Sequence, residues 1–281
     1  MQLRYFQSRP VQLYVGILAA MLMFGVLARP LVETLAPSLS VIGIRVVVNW
    51  LFVALVVGLV AWLGWWQKVR LTTSIASGGR RYLLVLVALL LVPLGVTLAL
   101  TPAPFAVPEF TILDGQPLST AGVVVLVVVG FALGAAVSEE LLYRGVVLRS
   151  FEPRGRIPAA LAASFLFGAS HLSLLAVGVP PSEVLLVSVL SAVSGIGLAA
   201  IAFRLGTLWP LVGWHFLQNS FPAFLTAEAM AVFVPVNIVV VLGVAILGAW
   251  LLWTDRNIGV ADDEEMLAEA TPQPTGSSMR P

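Results

Sequence analysis

The chain alternates long apolar runs with short polar interruptions. A helix needs roughly 20 mostly apolar residues to cross a bilayer. Eight stretches qualify: Val11–Ala28, Val46–Trp66, Tyr82–Leu100, Ala121–Leu148, Ile157–Val177, Val184–Phe203, Leu208–Ala227 and Val236–Trp253. The pattern predicts an all-α, polytopic membrane helix bundle of about eight transmembrane helices. The fourth stretch is longer than a bilayer requires, and its last third is polar. The seventh opens with Pro210 and carries Pro222, which predicts a kink. Trp65, Trp66, Trp209 and Trp253 fall at span ends, where amphipathic rings favour the headgroup region. No signal-peptide cleavage pattern follows the first stretch, so it reads as a retained helix.

Composition agrees with that pattern. Of the 281 residues 59 % are hydrophobic and 10 % charged, with a mean hydropathy of +1.02. A soluble domain averages about 45–50 % apolar and about 25 % charged. The figures exclude a soluble globular enzyme, a disordered protein and a disulfide-stapled secreted domain. With no cysteine, disulfides, thiolate zinc sites and cysteine nucleophiles are also excluded. A net charge of +1 gives no sign of nucleic-acid binding.

The position of the charges says more than their sum. With the N-terminus in the cytoplasm, thirteen of the fifteen bases fall in cytoplasmic segments, from Arg4 and Arg9 through Lys68, Arg70, Arg80 and Arg81 to Arg256 and Arg280. Only Arg29 and Arg45 fall toward the other side, and Arg45 reads as a snorkelling residue. The positive-inside rule therefore predicts cytoplasmic N- and C-termini. In a prokaryote the membrane would be the plasma membrane. Residues 255–281 hold six acids and two bases and gather Pro, Gly, Ser and Thr. They read as a disordered acidic cytoplasmic tail. The expected organisation is 1–119 (three helices and their loops), 120–254 (a helix bundle carrying the chemistry) and 255–281 (the tail).

Ionisable residues inside a span each cost roughly 2.5–3.5 kcal/mol on insertion scales, so they are informative. The fourth stretch contains Glu139-Glu140-Leu141-Leu142-Tyr143-Arg144. Glu140 and Arg144 share a helical face in the favourable acid-first order. Glu139 points about 100° away from Glu140 on a helix of 3.6 residues per turn. One acid can be held by Arg144 while the other faces a cavity, which separates a structural partner from a general base. A helix end where acids and Arg simply meet water is the plainer reading. Adjacent like charges weaken it. The only histidines are His171, in Phe167-x-x-x-His171, and His215, in His215-x-x-x-Asn219. Phe167 could shelter His171, and Asn219 could orient His215 or donate to a developing oxyanion. Such groups meet only if the fourth helix carries its glutamates deep. Gly130-x-x-x-Gly134 reads as a close-packing face, as do Ser188, Ser191, Ser194, Gly195 and Gly197, although a serine could line a cavity. No nucleophile elbow surrounds any of these serines.

Glu139-Glu140-x-x-x-Arg144, Phe167-x-x-x-His171 and His215-x-x-x-Asn219, in that order in membrane helices, resemble the CPBP family. These are the CAAX proteases and bacteriocin-processing (Abi) enzymes, related to the type II CAAX prenyl endopeptidases. The resemblance covers about residues 120–222. It implies an intramembrane endopeptidase acting on membrane-anchored or lipidated, CAAX-like substrates. By that resemblance Glu139 activates the hydrolytic water and His171 helps position it. His215 and Asn219 stabilise the oxyanion, and Glu140 and Arg144 support them. Family members are often labelled metalloproteases. Glu139, His171 and His215 would also suit a His₂Glu zinc centre, although there is no His-Glu-x-x-His. The water-activating glutamate is the favoured reading, with the metal left open. Two other readings remain: a non-catalytic membrane scaffold or bacteriocin-immunity-type protein of the same fold, and a transporter or proton relay built on the same Glu and His residues.

Overall fold

The computed structural model describes residues 9–112 and 116–255. Arg4, Arg256, Arg280 and the tail acids Asp262, Asp263, Glu264, Glu265 and Glu269 lie outside the described residues. The helices in chain order are α1 (Pro10–Leu35), α2 (Val41–Leu63), α3 (Arg80–Leu100), α4 (Thr120–Arg154), α5 (Arg156–Ser170), α6 (Pro181–Leu205), α7 (Trp209–Ser220) and α8 (Ala227–Asp255). Among the described residues seven helices are long and apolar enough to cross a membrane. The chain is an all-helical integral membrane protein; β structure among the described residues is limited to the isolated bridges Phe105–Leu225 and Thr111–Pro117.

The expected seventh span differs. It is a helix of 12 residues, not of span length. Pro222 does not kink it; Pro222 opens a 3₁₀ turn, Pro222–Phe224, just after α7 ends. Proline brings no N–H to continue the ladder, so the helix stops. The chain then runs extended, with the Thr226 amide donating to the Pro104 carbonyl and the Ala106 amide to the Phe224 carbonyl. α8 accordingly begins earlier than expected, at Ala227, and carries Pro235 inside it.

A short α7 is possible because its start is sunk into the bundle. Gly206 adopts a left-handed conformation (φ 79°), which turns the chain sharply after α6. Residues 205–208 are all buried. Buried irregular backbone must find partners, and the loop 64–79 supplies them. The Arg70 carbonyl accepts from the Leu208 amide at 3.1 Å, and the Leu205 carbonyl accepts from the Ala76 amide at 2.9 Å. Trp209 Nε1 donates to the Leu71 carbonyl at 2.9 Å. The depth can be read against α4. A Cβ on Gly145 would lie 3.3 Å from Leu208 and 3.1 Å from Val69. At 1.5 Å per residue Gly145 is about 13 Å back from the end of α4 at Arg154, so α7 starts about that deep.

That loop also corrects an expectation about Trp65. Gly64, at φ 66°, ends α2 and folds the chain back, which buries Trp65 to 1 % exposure instead of leaving it at a headgroup boundary. Trp66, Trp209 and Trp253 are exposed, as expected. Lys68 Nζ sits 3.7 Å from the centroid of the Trp65 ring.

Small residues close the helix crossings. A Cβ on Gly134 would collide with the Asn49 amide of α2. Asn49 Nδ2 donates to the Gly130 carbonyl at 2.8 Å and to the Phe131 carbonyl at 3.3 Å. Those carbonyls belong to a π-helical stretch of α4, Leu126–Leu133, whose wider turn alters the regular ladder. A Cβ on Gly168 would come within 2.6 Å of Ala192, and one on Gly195 within 2.9 Å of Ser164, so α5 and α6 pack almost backbone to backbone. Gly197 and Gly248 bring α6 and α8 equally close.

Asp255 does not belong to the tail. It ends α8 and bonds Arg156 at 2.5 Å and Arg204 at 2.7 Å.

Two outcomes follow. Gly197→Val should lower the thermal midpoint of the detergent-solubilised protein by several degrees, whereas Gly243→Ala, with open space around it, should leave it unchanged. Lys68 is held at about 8 instead of 10.5 by desolvation, partly opposed by Glu152. The folded state therefore binds fewer protons than the unfolded chain between those values, and this term makes stability rise with pH across that window. Below about 8 the penalty is fully present, so Lys68→Met should stabilise the protein near pH 7 and lose that advantage as the pH approaches 10.5. Thermal melts of both proteins across pH measure it.

Candidate active site

Three helices supply the site. α4 runs on to Arg154, so Glu139 and Glu140 lie about 20 Å back from its end. His171 stands at a similar depth, about 22 Å along from the start of α5 at Arg156. His215 is only about 9 Å into α7, but α7 begins about 13 Å deep. The levels agree, and the condition that the fourth helix carry its glutamates deep is met.

Glu140 and Arg144 sit at the two ends of one turn in a second π-helical stretch of α4, Glu140–Val147. Their side chains are 0 % and 1 % exposed and bond at 3.1 Å. Glu140 Oε1 also lies 2.9 Å from His215 Nδ1. An ionised carboxylate can only accept, so His215 holds a proton on Nδ1 and turns Nε2 away from Glu140. Nε2 faces Glu139 Oε2 at 3.6 Å, beyond direct hydrogen-bond range. Glu139 is 23 % exposed. The two adjacent acids therefore occupy unlike environments: Glu140 sealed and doubly held, Glu139 open.

Phe167 sits in the centre of the side-chain cluster. The Arg144 guanidinium lies over its ring at 4.3 Å. The His171 and His215 rings meet its edges at centroid distances of 5.2 and 6.2 Å, and Tyr143 tilts against it at 5.1 Å. A cation over a desolvated ring contributes on the order of 2 kcal/mol. Phe167 therefore gives Arg144 a second contact besides the carboxylate.

His171 marks the point where α5 changes to a 3₁₀ turn, His171–Val177. Its Nδ1 donates to the Phe167 carbonyl at 2.9 Å, which leaves Nε2 as an acceptor facing Ser191 Oγ of α6 at 3.4 Å. Ser191 had been readable only as a packing or cavity residue; no spacing rule links α6 to α5. Asn219 lies one turn beyond His215, is exposed, and makes no side-chain hydrogen bond among the described residues. Thus Glu139, Glu140, Arg144 and His215 form one connected group. His171 joins it through Phe167, and Asn219 lies exposed one helical turn beyond His215.

Among the described residues no group of three or more His, Cys, Asp or Glu side chains is gathered so that it could hold a metal ion. His215 Nδ1 is engaged by Glu140, and His171 bonds to Phe167 and Ser191, not to Glu139.

The sealed pair can be tested for stability. Arg144→Ala strips a buried carboxylate of its cation, which costs about 3–5 kcal/mol. Glu33→Ala breaks the exposed Arg29–Glu33 pair (2.7 Å) and should cost under about 1 kcal/mol. Unfolding of both variants in mixed micelles compares the two.

Comparison with known proteins gives one match. Residues 121–221 match the family described as type II CAAX prenyl endopeptidase Rce1-like. No curated protein and no solved structure matches the chain. The matched segment opens one residue into α4 and ends one residue past α7, so it contains all three motifs and every side chain of the cluster. Residues 121–221 thus carry an Rce1-like domain, which supports assignment to the CPBP/CAAX proteases.

Proposed function

We propose that the chain is an intramembrane endopeptidase that hydrolyses a peptide bond in the juxtamembrane segment of a membrane-anchored or lipidated, CAAX-like substrate. The observation that carries the reading is His215 set between two unlike carboxylates, Nδ1 on Glu140 and Nε2 toward Glu139. The positive-inside balance favours a cytoplasmic opening, with both termini on that side. α7 then counts as a short eighth transit: it leaves the end formed by the loop 64–79 and hands over to residues that bond the loop 101–119.

Arg144 balances the charge of Glu140, and a proton on either His215 Nε2 or Glu139, 3.6 Å apart, balances Glu139. With that proton on Nε2, Glu139 is a free carboxylate at the open side of the cluster. It takes a proton from water as the oxygen attacks the scissile carbonyl carbon. The carbonyl oxygen becomes an oxyanion, met by Nε2–H and by the Asn219 amide. The C–N bond then breaks, and Glu139 returns its proton to the leaving amine. Atoms and protons balance over the cycle. His171 Nε2 orients the water with Ser191 behind it. Glu140, Arg144 and Phe167 hold His215 in register.

No step is routed through a metal. A purified sample is expected to contain far less than one zinc per chain and to keep its activity after chelation. One tightly held zinc whose removal abolishes cleavage would replace the glutamate base with a metal centre. In proteoliposomes with a lipidated peptide, Glu139→Gln should lower kcat by about 10²–10⁴. Asn219→Ala should lower it by about 10²–10³. Wild-type-like cleavage by Glu139→Gln, or absence of cleavage by the wild-type chain across a substrate panel, would favour a non-catalytic scaffold.

A further inference from the structure

Outside the active site, a cavity of about 400 Å³ opens at the basic end of the bundle between α3, α6 and α8. It straddles the level at which apolar helix gives way to charge: α3 begins at Arg80, α6 ends at Leu205 and α8 ends at Asp255. Arg81 and Arg204 line it at the charged helix ends, with Tyr82 and Trp250, and Val85 and Leu247 line it further along α3 and α8, which makes them its floor. Trp250 is 60 % exposed, although it is a large amphipathic ring near a helix end. Such rings favour the headgroup layer.

The charges in this cavity are unequal. Asp255 is the acid that lines it, and its two oxygens are already taken by Arg156 and Arg204. Arg204 is further fixed by donating to the Leu251 carbonyl at 2.9 Å and the Ala200 carbonyl at 3.1 Å. Arg81 is exposed, leans on the Tyr82 ring at 5.1 Å and meets no carboxylate among the described residues. Two guanidinium groups thus share one carboxylate, and Arg81 adds a further positive charge to the cavity lining.

We propose that this cavity binds an anionic phospholipid, with the phosphate between Arg81 and Arg204 and the upper acyl chain along Val85 and Leu247. The Arg81 guanidinium, which makes no side-chain hydrogen bond among the described residues, matches phosphate oxygens in a planar, two-pronged geometry. Arg204, already donating to Asp255, Leu251 and Ala200, adds its charge and a remaining N–H. Basic pockets between membrane helices at the cytoplasmic face are the form such sites take. A zwitterionic lipid fits less well, because its cation would need a free carboxylate and Asp255 is already engaged. An occupied site would tie α8 to α3 and α6 at their shared end.

The test uses full-length protein, stripped of lipid in detergent, titrated with phosphatidylglycerol or phosphatidylcholine and read by native mass spectrometry. One phosphatidylglycerol should be retained more tightly than phosphatidylcholine. Arg81→Gln should weaken that retention about five-fold, the share of one interfacial arginine. Arg80→Gln removes the same charge one residue away, outside the cavity, and should have a much smaller effect. Val85→Trp fills the floor without changing charge and should prevent binding while the thermal midpoint stays near wild type. Equal retention of the two lipids would overturn the proposal. So would equal loss in Arg80→Gln and Arg81→Gln, undiminished binding by Val85→Trp, or displacement of the lipid by soluble glycerophosphate at the same concentration.

Discussion

A fully buried carboxylate in an apolar bundle must be paired, and the Glu140 side chain is 0 % exposed. An isolated ion in such surroundings costs far more than the stability of a domain. Its Oε1 meets both the Arg144 guanidinium of its own helix and His215 of α7. Arg144 in turn needs a second surface, which Phe167 of α5 provides. One charge therefore fixes the relative placement of three helices. Glycine crossings separately pack α5 closely on α6 and α6 on α8.

The same constraint divides two chemically identical side chains. Glu140 is sealed and held through Oε1 by both Arg144 and His215, while Oε2 has no hydrogen-bond partner among the described residues, and it is suited to orienting a histidine. Glu139, the next residue, points elsewhere around the helix and keeps access to the open side. In the proposed mechanism the sealed acid fixes the tautomer of His215, and the open acid moves the proton. The depth of the site follows from backbone devices well removed from it. Gly206 turns the chain into α7, and the loop 64–79 satisfies the buried turn, so His215 arrives at the level of the glutamates with only six residues of helix before it.

Much of this was legible in the sequence because it depends on short-range spacing. Four residues bring Glu140 to Arg144 and Phe167 to His171 on any helix. The Gly130-x-x-x-Gly134 face meets α2 for the same reason. Apolar run length placed seven of the helices, but it overestimated α7. Hydropathy cannot see that Pro222 ends the helix or that its start is already sunk in the bundle. Trp65 illustrates the same limit: a left-handed Gly64 decides whether a tryptophan at a span end faces lipid or folds under the bundle. The two π-helical stretches and the approach of Ser191 to His171 arise from packing between distant segments, which leaves no local pattern.

The central claim is that Glu140 sets the tautomer of His215 and thereby aims Nε2 at Glu139. The chain has two histidines, so ¹⁵N spectra of the imidazoles in lipid, assigned with a His171→Gln variant, report on His215 directly. The account predicts a proton fixed on Nδ1 of His215 in the wild-type protein and a redistributed proton in Glu140→Gln. A His215 protonated only on Nε2, or an imidazole spectrum unchanged by Glu140→Gln, would contradict it.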